Sequence, residues 1–96
     1  MTTLKSRKFA SVWDAVEEKA DDAANLKMRA EVMIALRERV GKWRGTQAES
    51  ARRLGVSQPR LNDLLRGRID KFSLDALVNL ASTAGLEIRM TVRRAA

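Results

Sequence analysis

TQAESARRLGVSQPRLNDLLRG, residues 46–67, spells two short helices joined by a tight turn and closed by a glycine. Ala51 stands four residues after Gln47, where two helices must approach closely and only a small side chain fits. Gly55, four further on, suits the left-handed conformation that ends a helix. Val56 then packs the corner. Leu61, Leu64 and Leu65 recur at helical spacing, so the second helix presses one face on the first and leaves Gln58, Arg60, Asn62 and Arg66 outside. The boundaries carry their own caps. Thr46 and Glu49 form a T-x-x-E capping box, Ser57 caps the second helix, and Pro59 lies in its first turn, where no backbone donor is missed. This spacing predicts a helix-turn-helix; the competing reading is a helical hairpin with an ordinary charged face.

The charge of the chain is centred on the same stretch. The net charge of +7 divides into −1 for residues 1–25, +7 for residues 26–69 and +1 for residues 70–96. Charge alone fits RNA, DNA or an anionic membrane, but a basic field centred on a helix-turn-helix favours duplex DNA. With 96 residues, 45% of them hydrophobic, the chain suits one small domain with a flexible tail. It contains no cysteine and no histidine, which removes disulfides, thiolate sites, most zinc sites and the usual imidazole base. No metal, cofactor or enzymatic activity is expected. No apolar run approaches the roughly 20 residues that span a bilayer, and the N-terminus lacks the apolar core of a secretory signal. A cytoplasmic protein without a membrane partner is expected.

Outward from the motif, the spacing predicts three divisions. Residues 1–23 form a basic arm followed by a short amphipathic helix, with Phe9, Val12, Trp13 and Val16 at i, i+3, i+4 and i+7. Residues 24–85 form the DNA-binding domain. Its longest helix runs from about Ala24 to Val40, with Met33, Leu36 and Val40 on one face joined by Met28 and Val32. Trp43, in the connection GKWRG, either covers the edge of the core or lies near the DNA backbone. Ser73 caps a last helix running to Ala84, with Phe72 and Leu77 as a hydrophobic staple and Leu74, Leu77, Val78 and Ala81 as its buried stripe. Gly41, Gly55, Gly67 and Gly85 are expected to close four successive helices. In residues 86–96 the period changes to two: Leu86, Ile88, Met90 and Val92 alternate with Glu87, Arg89, Thr91 and Arg93, the pattern of a strand with one buried face. No other segment reads as its partner, so a two-fold homodimer with an intermolecular antiparallel ribbon is expected, the alternative being a tail lying on the core.

Helix-turn-helix dimers set two recognition helices into successive major grooves about 34 Å apart, which demands a roughly palindromic operator. On the second helix, Gln58, Arg60 and Asn62 are expected at base edges, since arginine grips guanine, and glutamine or asparagine grips adenine, through two hydrogen bonds. Asp63 either accepts from cytosine or pairs with a neighbouring arginine. Lys42, Arg44, Arg52, Arg53, Arg66 and Arg68 are expected on phosphates, with Thr46, Gln47 and Ser57 at the helix starts.

The motif, the segment FSLDALVNLASTAGLEIRM after it and SVWDAV before it together resemble the small XRE-type helix-turn-helix regulators, and more closely the HigA-like antitoxins of bacterial toxin–antitoxin pairs, over about residues 9–93. The resemblance implies a mainly α, lambda-repressor-like bundle of four to five helices with a C-terminal β-strand pairing across a dimer. It further implies an autorepressor of its own operon that neutralises a toxin, commonly an mRNA-cleaving ribonuclease similar to the RelE group, and Phe9, Val12, Trp13 and Val16 would then dock on the toxin or on the antitoxin's own body. A stand-alone XRE-type repressor, and a helix-turn-helix module that binds protein with only weak affinity for DNA, are the alternatives.

Overall fold

The computed structural model describes residues 22–95, which form four α-helices and one 3₁₀ turn: α1 (Asp22–Gly41), α2 (Gln47–Leu54), α3 (Gln58–Leu65), the turn Ile69–Lys71 and α4 (Leu74–Thr83). The helix expected around Phe9, Val12, Trp13 and Val16 lies outside these residues. The fold is mainly helical. α1 packs chiefly on α4 and α2 on α3, while α1 also touches α3 and the 3₁₀ turn.

A single apolar cluster joins all four helices. α1 contributes Met33, Leu36 and Val40, α2 contributes Ala51 and Leu54, and α3 contributes Leu61 and Leu64; Phe72, Leu77 and Ala84 complete it. Val32, Trp43, Val56, Leu65, Leu80 and Leu86 pack around its edge, and no polar or charged residue is buried among the described residues. Burial of this kind, worth about 25 cal/mol per Å² of apolar surface, is what holds helices as short as α2 and α3 in shape.

Local chemistry sets the ends. At α2 the Thr46 hydroxyl accepts from the Glu49 N–H at 3.1 Å while the Thr46 N–H donates to the Glu49 carboxylate at 2.8 Å, so the capping box is complete. The hydroxyls of Ser57 and Ser73 accept from the N–H groups of Arg60 and Ala76. The C-termini of α2, α3 and α4 share one hydrogen-bond pattern. Gly55, Gly67 and Gly85 donate to Arg52, Leu64 and Ser82, and the next residue in each case, Val56, Arg68 or Leu86, donates to Ala51, Asp63 or Ala81. This Schellman arrangement brings the side chains of its last-named pairs together. Two of the pairs are apolar, Val56 with Ala51 and Leu86 with Ala81. The third is ionic, with Arg68 Nε 3.9 Å from Asp63 Oδ1.

Gly41 ends α1 as expected, where Lys42 and Trp43 donate to Arg39 and Val40 and tighten the last turn; the left-handed glycine of the connection is Gly45, with φ of 102°. One sequence expectation, the burial of Val78, needs correction. Val78 is 36% exposed. α4 presents Leu77, Ala81 and Ala84 to the core, with Leu74 and Leu80 beside them, and Val78 lies about 100° round the helix from Leu77. Residues 86–95 have no regular secondary structure, and no strand occurs among the described residues. A strand needs a ladder partner, and four helices offer none.

Candidate nucleic-acid interface

α3 stands on the bundle through Leu61 and Leu64 and leaves its other sides exposed. Gln58, Asn62 and Arg66 lie in solvent, and among the described residues their side chains make no hydrogen bond or ion pair. Gln58 and Asn62 are four residues apart, so they share one face of the helix. Arg60, expected beside them at base edges, is turned back on the protein. Its Nη1 donates to the Lys71 carbonyl at 2.7 Å, and its guanidinium carbon lies 3.9 Å from the centre of the Phe72 ring.

The expected phosphate contacts lie on α2 and in the connections before α2 and on either side of α3. Lys42, Arg44 and Arg52 are exposed, and among the described residues they make no side-chain hydrogen bond or ion pair. Arg53 lies over the Trp43 ring at 4.0 Å, and Trp43 itself is half-buried against the core, so the tryptophan covers the core edge and carries a cation on its outer face. Thr46 and Ser57 use their hydroxyl oxygens as caps, which leaves each hydroxyl proton available to an anion. Gln47 is exposed in the first turn of α2, where the helix end favours negative charge. At α3 the first turn lacks one donor, since Pro59 has no N–H, and Arg60 donates its own to Ser57 as Glu49 does to Thr46 at α2. Asp63 pairs with Arg68 across the C-terminal turn of α3, the second of the two fates open to it.

Not all of the basic excess is free for an anion. From α1, Arg37 donates to the Leu65 carbonyl at 2.7 Å and Arg39 to the Ala84 carbonyl at 2.9 Å, each at the C-terminus of another helix, where a cation meets the negative end of the helix dipole. Arg29 donates to the carbonyls of Ile69 and Phe72. These roles escape sequence reasoning because the partners lie 28 to 45 residues away. Lys71 was missed as well. It is exposed, and the Arg60 contact to its carbonyl brings it beside the first turn of α3.

Among the described residues there is no cluster of three potential metal ligands and no helix long and apolar enough to cross a membrane. The isolated chain leaves Ile88, Met90 and Val92 increasingly exposed, at 41%, 65% and 84%. Among curated proteins none matches the chain significantly. The family model described as "Helix-turn-helix domain" matches residues 15–93, which takes in all four helices. Double-stranded DNA is the partner that such a domain suggests, and this chain belongs to the helix-turn-helix domain family.

Proposed function

We propose that the protein is a sequence-specific DNA-binding repressor that works as a cytoplasmic homodimer on a palindromic operator, without cofactor or catalysis, and that it is the antitoxin of a type II toxin–antitoxin pair. The observation that carries the DNA reading is the exposed face of α3, on which Gln58 and Asn62 present two amides that are unengaged among the described residues, in a helix preceded and followed along the chain by cations. Amide side chains of this kind discriminate base pairs by about 1–3 kcal/mol each, and Lys42, Arg44, Arg52, Arg53, Arg66 and Arg68 supply the sequence-independent attraction. Asp63, an acidic residue on the reading helix and the feature that favours a protein-binding module instead, is accounted for by its pairing with Arg68.

The dimer is supported by the alternating apolar residues after α4, of which Ile88, Met90 and Val92 stay exposed and call for a cover. The antitoxin role is supported by the resemblance of residues 9–93 and by the apolar stripe Phe9, Val12, Trp13 and Val16, which needs a surface to dock on. The test is to co-purify the protein with the product of the neighbouring gene and to measure binding to their shared promoter. A stable complex that binds the promoter and silences a growth-inhibiting neighbour is the expected result. Promoter binding with no partner would leave an ordinary repressor, and no preference for any DNA sequence would overturn the reading.

A further inference from the structure

We propose, resting on the DNA-binding reading above, that Arg60 is a positioning residue of the recognition helix and not one of its base readers. Its guanidinium braces the first turn of α3 against the segment leading into α4 and so fixes the pose in which Gln58 and Asn62 are offered to DNA.

The geometry around α3 points this way. The helix has eight residues, and those it buries fully are Leu61 and Leu64. In the turn ahead of them Gln58 and Pro59 are exposed and Arg60 is half-buried. That N-terminal end is the one a helix-turn-helix protein directs at base edges, so it must be held firmly while carrying almost no apolar anchor of its own. Arg60 supplies the anchor. It meets a rigid platform, because Phe72 is only 2% exposed and its carbonyl also accepts a hydrogen bond from Arg29 on α1. A planar guanidinium can stack on a ring and donate in its own plane at the same time, which an ammonium cannot do. To read a base, Arg60 would have to surrender both the Lys71 hydrogen bond and the Phe72 stack, whereas Gln58 and Asn62 have no such contacts to break among the described residues.

The experiment selects a preferred duplex from a randomised pool with the wild-type protein. Binding of that duplex and of its single-base variants is then measured for Arg60→Ala, Arg60→Lys, Gln58→Ala and Asn62→Ala. The expected result is that Arg60→Ala weakens binding by a common factor of about five to ten for every duplex and leaves their ranking unchanged. Arg60→Lys should restore part of the loss. Gln58→Ala and Asn62→Ala should instead flatten the preference at particular base pairs. Amides of residues 68–72 should exchange faster in Arg60→Ala while circular dichroism shows it folded at the binding temperature. If Arg60→Ala does not fold, Arg60→Lys is read in the same way. Flattened preference at one base pair in either Arg60 variant would overturn the proposal and make Arg60 a reader; unchanged affinity with unchanged exchange would overturn it and make Arg60 a bystander. A wild-type protein that enriches no sequence would overturn the DNA reading and the proposal together, and is recognisable because the Gln58 and Asn62 variants would then change nothing either.

Discussion

Ala51 is 3% exposed and belongs to the cluster that holds Leu61 and Leu64 of α3, so the approach of the two motif helices depends on its small side chain. Ala51→Leu should force them apart and lower stability by about 1–3 kcal/mol, measured by urea unfolding. The glycines that close helices offer a graded comparison. A methyl group at Gly55 would meet nothing within 4 Å, so Gly55→Ala costs only the left-handed backbone at φ of 77°, about 1–2 kcal/mol. At Gly85 the same group would sit 2.8 Å from the guanidinium of Arg39, which holds the Ala84 carbonyl. Gly85→Ala should therefore shift the unfolding midpoint further than Gly55→Ala; equal shifts would show that the Arg39 contact contributes nothing. At this scale the stop at Gly55 is legible because it stands at a fixed distance from Ala51 and Val56. The fate of Asp63 is not, since bonding a base and pairing with an arginine place the same residue type on the same helix.

Helix boundaries are legible because capping groups act over three residues. Thr46, Ser57 and Ser73 stand where the sequence predicts caps, and each accepts from the backbone N–H three residues on. Ser57→Ala should lower stability by about 1 kcal/mol, and a double-mutant cycle on Thr46 and Glu49 should return a favourable coupling, since each bonds the other's backbone. The arginines of α1 behave differently. Their sequence context is that of any solvated helix face, yet Arg37 and Arg39 clamp the ends of α3 and α4. Arg39→Ala should accordingly destabilise the bundle by about 1 kcal/mol while leaving the salt dependence of DNA binding close to that of the wild type, a combination that a phosphate contact would not produce.

For the whole molecule the decisive quantities are charge and assembly. If a dimer neutralises six phosphates, the logarithm of the binding constant should fall against that of salt concentration with a slope of about −5. Replacing Ile88 and Met90 by aspartate should yield monomers in sedimentation and a much weaker hold on a palindromic duplex, while circular dichroism stays that of the wild type, because both side chains are exposed in the single chain; an unaltered sedimentation coefficient would place the dimer contact elsewhere. By itself the sequence determined what is built from contacts within a few residues: the capping box and hydroxyl caps, the apolar stripes of α1 and α3, the glycine stops after α2, α3 and α4, and the gathering of positive charge around the motif. Only the tertiary structure decided how α4 is rotated, which leaves Val78 outside, which arginines serve helix ends instead of an external anion, and that Arg60 lies on Lys71 and Phe72. The physical reason is range. A cap or a stripe repeats within one or two helical turns, whereas these contacts join residues 11 to 45 positions apart, and they exist only once the helices have packed.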